Sequence, residues 1–275
     1  MRIGLIGCGR VGVTICYFLK RQNRIIGVYD TNKRSEKRAR KILRIKDNPK
    51  YPELVEQSET LFLATPDDVI QTAYRKLRAH LSGTKYIFHF SGILPAGIIP
   101  KKNGVYRASI HPFATFPGFV IPPKRKHMHL SIEGDEQAIK AAHAIFRSEH
   151  FTLRRINRKD KPLYHLIGVF SSNLLIGLLA SIYDMAEKLG WKDKKIRQLV
   201  YPIIEETLNN TKDSGILESL TGPLQRSDVA TIKRHLKALQ HDKELLRIYK
   251  SLSMYILQKV KLGKKNRRLE KLLGQ

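Results

Sequence analysis

The stretch Arg2–Gly12, which reads Arg-Ile-Gly-Leu-Ile-Gly-Cys-Gly-Arg-Val-Gly, decides the fold of this chain. Its apolar first half predicts a buried β-strand that ends near Ile6. The pattern G-x-G-x-x-G follows directly, and an apolar helical segment then runs from Val11 to Leu19. A strand, a glycine-rich turn and a helix in this order are typical of a βαβ unit that binds a dinucleotide.

Each glycine of the turn has its own expected role. Gly7 permits the tight turn, Gly9 lets the backbone approach a pyrophosphate, and Gly12 lets the helix pack closely against the strand. The free N–H groups and the positive dipole end of the helix then face the phosphates. Asp30 ends the second predicted strand, where its carboxylate can accept hydrogen bonds from the adenosine ribose. The loop residues predicted to bind the cofactor are Gly7, Cys8, Gly9, Arg10, Val11 and Gly12.

The residues around Asp30 leave the choice between NAD and NADP open. An acid at this position disfavours a 2′-phosphate by charge repulsion, which favours NAD. Lys33 and Arg34 follow closely and could bind that phosphate, unless both are solvated surface cations. We therefore expect NADP or NAD as the cofactor, with a slight preference for NADP.

Short apolar runs alternate with helical stretches over the first part of the chain. This alternation predicts an α/β Rossmann domain with a doubly wound, mainly parallel sheet. After Asn157 the strand-like runs stop and long apolar stripes at helical spacing predict an all-α C-terminal domain. We expect a dinucleotide-binding domain over residues 1–156 and a helical substrate and dimerisation domain over residues 157–275, with a basic tail from Lys261 that is frayed or only loosely helical. The proline-rich stretch Pro117–Lys126 is predicted to be a loop or flap.

Polar residues follow several of the predicted strands directly. Thr65 and Pro66 come after the strand at residues 60–64, Ser91 after the strand at 86–90, and His111 after the strand at 105–110. Ligands of an open parallel sheet bind at the carboxyl ends of its strands. Thr65, Pro66 and Ser91 are therefore predicted to contact the cofactor, and His111 to lie near the substrate.

Four motifs carry a resemblance to a known family: His89–Leu94, Ser109–Pro112 with Phe116, Phe170–Leu174 and Leu220–Asp228. On these motifs the chain resembles the 6-phosphogluconate dehydrogenase-like superfamily. It is most similar to a branch of Rossmann-like proteins, often labelled NADP oxidoreductases, that have a helical C-terminal domain of unknown function. The resemblance covers residues 1–240 and implies a nicotinamide cofactor, an all-helical second domain and a homodimer. That branch more usually has Gly where this chain has Ser227.

One departure from the superfamily affects the expected chemistry. Its 3-hydroxyacid dehydrogenases carry a catalytic Lys four residues before an Asn on the first helix of the C-terminal domain. This chain keeps Asn173 but has Val169 at the position of the Lys. Either another group moves the proton, or the protein does not catalyse that reaction.

Histidines are the natural candidates for proton transfer near neutral pH. His111 is the first choice as proton donor, because prephenate dehydrogenases have a functional His in a similar His-Pro turn; a structural role in its loop is the alternative. His165, Ser172 and Asn173 lie on one predicted helix and could line a cleft that binds a polar substrate. Arg226 could bind a substrate carboxylate, or could instead pair with Asp228 to fix a turn. No metal site is predicted.

The composition of the chain restricts its class. The 275 residues include 51 Lys and Arg against 24 Asp and Glu, which gives a formal net charge of +27. Such charge can indicate affinity for nucleic acid, anionic lipid or anionic small molecules. Aromatic residues are not interleaved with the basic runs, so a solvated basic surface is favoured over a nucleic-acid partner, which the net charge nevertheless does not exclude. Two cysteines exclude a disulfide scaffold or a cysteine-built zinc site.

One segment resembles a membrane span, since residues 166–183 carry no charge. Its centre is Ser171-Ser172-Asn173, which would be costly inside a bilayer. We therefore expect a buried core helix of a protein without membrane association, and its large apolar surface predicts a homodimer. The N-terminus leads straight into a strand, so we expect no signal peptide and a cytoplasmic location.

Together these patterns predict an NAD(P)-dependent oxidoreductase that transfers a hydride between a nicotinamide cofactor and a small, anionic metabolite. The positive charge would raise the local concentration of such a substrate. The alternative is a non-catalytic NAD(P)-binding sensor or scaffold protein whose basic surface binds a partner.

Overall fold

The computed structural model describes residues 1–119, 127–260 and 266–274. The chain forms two compact units, Met1–Leu175 and Ile176–Gln275. The predicted loop at Pro117–Lys126 falls mostly on residues 120–126, which lie outside the described residues.

The first unit is built on a seven-stranded sheet in the order β2-β1-β3-β4-β5-β6-β7. Strands β1 to β5 are parallel, β6 is antiparallel to β5, and β7 is parallel to β6. This arrangement confirms the predicted fold class. The strands are β1 Arg2–Ile6, β2 Arg24–Tyr29, β3 Thr60–Leu63, β4 Tyr86–His89, β5 Tyr106–Pro112, β6 Met128–Gly134 and β7 Phe151–Arg155.

Helices cover both faces of this sheet, because successive side chains of a strand point to opposite sides. In β3, Phe62 belongs to one buried apolar cluster, whereas Leu61 and Leu63 belong to a second. The helices of the first unit are α1 Arg10–Leu19, α2 Lys33–Leu43, α3 Tyr51–Gln57, α4 Ile70–Leu77, α5 Glu136–Ile145 and α6 Lys161–Val169.

The sequence did not predict β7. Only Phe151 is buried in this strand, and Arg154 and Arg155 are exposed. An edge strand of this kind needs no continuous apolar run, because half of its surface faces water. The missing strand pattern therefore reflects its place at the edge of the sheet.

The second unit is helical. A π-helical turn at Phe170–Leu174 leads from α6 into α7, and the helices that follow are α7 Leu175–Lys188, α8 Asp193–Ser214, α9 Val229–Leu239, α10 Lys243–Lys259 and α11 Asn266–Gly274. Helix α11 corrects part of the prediction of a frayed basic tail. Leu269 and Leu273, four residues apart on one face, are buried against Ile232 and Leu257. Residues 261–265 of the predicted tail lie outside the described residues.

The strand pattern ends at Arg155, close to the predicted boundary at residues 156 and 157. The first compact unit nevertheless extends to Leu175, because α6 begins with Lys161, whose side chain is buried against the sheet. The predicted boundary therefore marks the change of secondary structure. The assignment of separate roles to residues 1–156 and 157–275 stays a prediction.

The apolar segment from residue 158 to residue 188 corrects another expectation. Among the described residues, Arg158–Lys188 is one helical segment long and apolar enough to cross a membrane, by length and composition only. Only 6% of its most apolar window is buried, so it is not the core helix that the sequence predicted. Leu163 and Ile176 are each 66% exposed. Sequence periodicity identifies an apolar helix, but it does not show whether that helix is covered by its own chain.

Candidate active site

The glycine turn between β1 and α1 has the geometry that its sequence predicts. Gly7 has a φ of +91°, and a Cβ on it would lie 2.6 Å from the carbonyl oxygen of Ala64. A Cβ on Gly12 would lie 2.6 Å from the Cβ of Ala64, so only glycine lets α1 approach the sheet this closely. At Gly9 the nearest such atom is 3.8 Å away. The backbone of Gly9 is therefore open to a close approach by a ligand.

A cavity of about 420 Å³ lies above this turn, at the carboxyl ends of β1, β2 and β3. Six residues that were predicted to bind the cofactor line it: Gly7, Cys8, Gly9, Asp30, Thr65 and Pro66. The Oγ1 of Thr65 is buried there and has no hydrogen-bond partner within the described residues. A buried polar atom without a partner is costly, so this hydroxyl fits a site that a polar ligand completes.

Asp30 connects the second strand to the glycine turn. Its Oδ2 accepts a hydrogen bond of 2.7 Å from the N–H of Cys8, and its Oδ1 accepts one of 2.8 Å from the N–H of Asn32. Burial and the charges of Asp30 and Glu36 raise the pKa of the Cys8 thiol to about 12. This thiol stays protonated at physiological pH, which argues against a redox role and for a small side chain that fits beside the ligand.

The cations nearest this cavity differ from those that the sequence favoured. The Nζ of Lys33 forms an ion pair of 3.1 Å with Glu36, and neither Lys33 nor Arg34 is among the lining residues. Ser35 and Arg38 line the cavity instead. The guanidinium of Arg38 donates a hydrogen bond of 3.2 Å to Ser35 and lies 4.0 Å from the ring centre of Phe119. The i,i+3 spacing of these two residues on α2 is the sequence signal that could have identified them.

The other predicted cofactor residues lie outside the cavity lining. Arg10 donates a hydrogen bond of 3.3 Å to the carbonyl of Phe116, and Val11 packs against the apolar core. The hydroxyl of Ser91 donates a hydrogen bond of 2.7 Å to Asp67 and accepts one of 2.9 Å from the N–H of Leu94. Ser91 therefore fixes the turn after β4.

A second cavity, of about 290 Å³, lies at the carboxyl end of β5. It brings together four residues that the sequence predicted for catalysis or substrate binding: His111, His165, Ser172 and Asn173. The ring centres of His111 and His165 are 5.5 Å apart. The hydroxyl of Ser172 lies 2.8 Å from the carbonyl oxygen of Gly168 and 2.9 Å from the Oδ1 of Asn173, and it can donate its one proton to either oxygen.

Gly92 packs against both histidines and was not singled out from the sequence. A Cβ on Gly92 would clash with the ring of His165 and would lie 2.8 Å from the Nε2 of His111. Its φ is not in the left-handed region, so the requirement for glycine here is steric. The motif Ser91-Gly92 after a strand was the available signal.

The protonation state of His111 bears on its predicted role as proton donor. Burial, together with the charges of His165 and Lys161, lowers the pKa of His111 to about 4. The Nδ1 of His111 is buried without a hydrogen-bond partner within the described residues. At physiological pH this imidazole is neutral, so it can accept a proton or donate its single N–H.

Lys161 is a buried cation that sequence reasoning missed. Only 1% of this residue is exposed, and its Nζ donates hydrogen bonds of 2.7 Å to the Oγ of Ser109 and 3.3 Å to the carbonyl of Ser91. The Oε1 of Glu133 lies 3.8 Å from the same Nζ and accepts a hydrogen bond of 2.6 Å from Ala96. Burial lowers the pKa of Lys161, and the charges of Glu133 and Asp67 oppose this shift. The sequence signal was Glu133 in the mostly apolar strand β6, because a carboxylate in such a strand indicates that a cation is buried beside it.

Arg226 belongs to the second unit and lines neither cavity. It is exposed in the turn before α9, and its role in substrate binding stays a prediction. Asp228 caps α9, because its carboxylate accepts hydrogen bonds of 3.0 Å and 2.7 Å from the N–H and the hydroxyl of Thr231. These hydrogen bonds lower the pKa of Asp228, and the charge of Arg226 contributes. Ser227 has a φ of 55°, in the left-handed region that favours glycine.

A search for metal ligands gives no candidate. Over residues 1–119, 127–260 and 266–274, no group of three or more His, Cys, Asp and Glu side chains could hold a metal ion.

Two family models match the chain. Residues 1–112 match a Rossmann-like domain, and residues 128–256 match a domain of unknown function, DUF2520. Each match covers less than half of the chain. The comparison with curated protein sequences gives no match.

Several solved structures share this fold. A candidate NADP oxidoreductase from Bacteroides fragilis is 20% identical, with a TM-score of 0.74 and coverage of 93% of this chain and 97% of that one. Protein TM1727 from Thermotoga maritima is 21% identical, with a TM-score of 0.67 and the same coverage. Pyrroline carboxylate reductase from Plasmodium falciparum, solved with NADP bound, is 14% identical, with a TM-score of 0.62 and coverage of 100% and 98%. At these identities the likeness shows the fold alone.

Proposed function

We propose that this protein is an NAD(P)-dependent oxidoreductase that transfers a hydride between a nicotinamide cofactor and a small, anionic metabolite. The observation that carries the proposal is the pair of cavities at the carboxyl edge of one parallel sheet. One cavity lies over the glycine turn after β1. The other contains His111, at the end of β5, and His165, on α6. Ligands of this fold class bind at that edge.

The residues of the first cavity fit a dinucleotide. Gly7 and Gly12 hold a turn that no larger side chain allows, and Gly9 leaves room for the pyrophosphate. The hydroxyl of Thr65, which has no partner in the described part of the chain, offers a hydrogen bond to the bound ligand. When bound, the nicotinamide supplies two-electron hydride chemistry.

Ser35 and Arg38 support a preference for NADP over NAD. A guanidinium and a hydroxyl together offer charge-assisted hydrogen bonds to a 2′-phosphate. One protein with this fold, from Bacteroides fragilis, is a candidate NADP oxidoreductase, and the reductase from Plasmodium falciparum was solved with NADP bound.

The second cavity would bind and orient the substrate. His111 is neutral, so it would take a proton from a substrate hydroxyl or amine in the oxidative direction. In the reductive direction, the protonated ring would return that proton to the oxygen or nitrogen of the reduced carbonyl or imine. We assign this proton transfer to Nδ1, because that atom has no partner within the described residues. His165, Ser172 and Asn173 provide further polar groups around the same space.

The exposed apolar helix supports a homodimer as part of this proposal. Leu163, Ile167 and Phe170 are each more than half exposed, which a helix in water does not tolerate well without a partner. Light scattering at micromolar concentration tests this point, and a monomer there would contradict it.

Two measurements test the function. Titration with NADPH and NADH, followed by nicotinamide fluorescence, should show saturable binding of at least one cofactor. Replacement of His111 by Asn should then abolish turnover in a screen of small carbonyl, imino and hydroxy acids while the affinity for the cofactor is kept. Absence of binding by either cofactor would sink the proposal.

A non-catalytic NAD(P)-binding sensor is the second candidate function. Val169 favours it, because the chain lacks the Lys that the hydroxyacid dehydrogenases carry there. Cofactor binding without turnover of any compound in the screen, by the wild type as well as by His111→Asn, would favour the sensor.

A further inference from the structure

Helix α2 carries a row of cations on one face. Arg34, Lys37 and Lys41 are exposed, and Arg44 follows directly after the helix. Their spacing of three, four and three residues places them side by side, where like charges repel one another. We call these four residues the α2 stripe.

A groove of about 580 Å³ lies at the carboxyl end of α2, and Arg44 of the α2 stripe is part of its lining. Five cations line the groove against one acid, Asp47: Lys20, Arg21, Arg24, Arg44 and Lys46. Arg24 is the first residue of β2, so the groove lies at the amino end of that strand. The cofactor cavity lies at the carboxyl ends, and the two share no lining residue.

Most of the positive charge of this groove is not neutralised within the described residues. Within the described residues, none of its five cations forms an ion pair, whereas Arg2, Arg107 and Arg155 each do so elsewhere. Burial and the charges of Arg44 and Arg21 lower the pKa of Lys20. The groove therefore offers several positive charges to an anion from outside the chain.

Arg44 adds an independent observation. It ends α2 with a φ of 60°, in the left-handed region where helices usually carry glycine. A larger residue there costs on the order of 1 kcal/mol of strain. Strain of this kind is found at functional positions, so it points to a use for the guanidinium.

We propose that the α2 stripe and this groove bind the sugar–phosphate backbone of a double-stranded nucleic acid. Among the residues that the structure describes, no aromatic side chain lines the groove, which disfavours the stacking that single strands require and favours contacts to phosphates. The 11 residues of α2 span about 16 Å, which is longer than a single phosphate group. A helix of this length can contact several successive phosphates along a duplex. The absence of interleaved aromatic residues, which argued against nucleic acid in the sequence, fits this sequence-independent mode.

The test measures binding of a fluorescent DNA duplex of about 20 base pairs over a range of salt concentrations. The triple variant Lys37→Gln, Lys41→Gln, Arg44→Gln should bind at least tenfold more weakly at fixed low salt. Each lost phosphate contact should also reduce the slope of log affinity against log salt by about 0.9.

A matched control removes the same charge from another exposed helix. The variant Lys233→Gln, Arg234→Gln, Lys237→Gln on α9 also replaces two Lys and one Arg, and it should change the affinity less than twofold. Equal losses of affinity in the two triple variants would overturn the proposal, because binding would then depend on the net charge of the chain and not on the α2 stripe. Failure of the wild type to bind the duplex at low salt, or binding to anionic lipid vesicles without binding to the duplex, would also overturn it.

Arg44→Gly excludes misfolding as an explanation. This substitution should relieve the strained φ and raise the Tm, and it should still weaken duplex binding. Retained affinity in this stabilised variant would show that the guanidinium is not used. The α2 variants should bind NADPH as the wild type does, because none of their residues lines the cofactor cavity.

Discussion

His111 and His165 face each other with ring centres 5.5 Å apart, and Gly92 fills the space beside both rings. One residue comes from the end of β5 and the other from α6, so the pair depends on how that helix packs on the sheet. Any atom added at position 92 must move one of the two rings.

Gly92→Ala tests this packing. The new methyl group clashes with both imidazoles, so we expect a loss of about 1–3 kcal/mol in the free energy of unfolding. Once a substrate is identified, kcat should fall more than KM changes. Gly97→Ala is the control, because a Cβ there meets only Arg158, at 3.7 Å. Equal stability of the two variants would contradict the steric role of Gly92.

The lowered pKa of His111 and His89 predicts a pH dependence of stability. Both have a pKa of about 4 in the folded state, below the ordinary value of 6.5 for histidine. Between these values the unfolded chain binds more protons, so stability falls as the pH drops from 6.5 towards 4. Each residue adds up to about 1.4 kcal/mol per pH unit to this slope.

Urea denaturation at several pH values measures that slope. In His111→Asn the slope of the free energy of unfolding against pH should decrease by the contribution of one histidine, because asparagine does not titrate in this range. An NMR titration should show the imidazole of His111 neutral at pH values near 6.5. A folded state in which His111 gains its proton there would contradict the assignment of a neutral ring.

Lys161 and Glu133 predict a strong coupling between two buried charges. Lys161→Met leaves the carboxylate of Glu133 buried without its cation, which should cost about 3–5 kcal/mol of stability. Glu133→Gln in the same chain should recover much of that loss, since the amide oxygen can still accept the N–H of Ala96. Chemical denaturation of the two single variants and the double variant measures the coupling. Additive losses would show that the two side chains do not interact.

The position of Arg38 in the lining of the cofactor cavity predicts a preference for NADPH over NADH. Loss of a charge-assisted hydrogen bond to a 2′-phosphate costs about 1.5–3 kcal/mol, so Arg38→Ala should weaken NADPH binding by roughly ten- to hundredfold. The affinity for NADH should stay nearly unchanged. Lys33→Ala is the comparison, because this lysine is engaged with Glu36 and should have little effect. Fluorescence titration with both cofactors measures the effect, and a similar loss of NADH affinity in Arg38→Ala would argue against contact with the phosphate.

Ser227 predicts a stabilising substitution. Its φ of 55° is strained for serine and relaxed for glycine, so Ser227→Gly should raise the free energy of unfolding by up to about 1 kcal/mol. The same change at Ser251, inside α10, should lower it by about 1 kcal/mol. Thermal unfolding of both variants checks the two opposite signs.

Local patterns were sufficient for much of the fold and for part of the site. The glycine turn, the strand ends at Thr65 and His111 and the helical stripes depend on neighbouring residues, which the sequence displays directly. The same holds for the cap at Asp228, where a carboxylate stands three residues before its partner Thr231.

Long-range contacts were not accessible in this way. The Nζ of Lys161 donates a hydrogen bond to the carbonyl of Ser91, which lies 70 residues away in sequence. Nothing local marks this lysine, because the start of a helix is an ordinary position for it. Arg38 and Lys33 are both cations on α2, and only the packing of that helix decides which of them reaches the cavity. The exposure of Ile176 depends on what covers the helix, which periodicity does not encode.

The π-helical turn at Phe170–Leu174 adds one residue to a single helical turn. The extra residue shifts the phase of the residues inside this turn by about 100° relative to an uninterrupted α-helix. Deletion of one residue between Val169 and Ser172 would therefore turn Ser172 and Asn173 away from the second cavity, while His165 on α6 stayed where it is. The presence of Asn173 beside His165 in one cavity thus depends on a single inserted residue, and chain length at this turn should be far less free to vary than sequence.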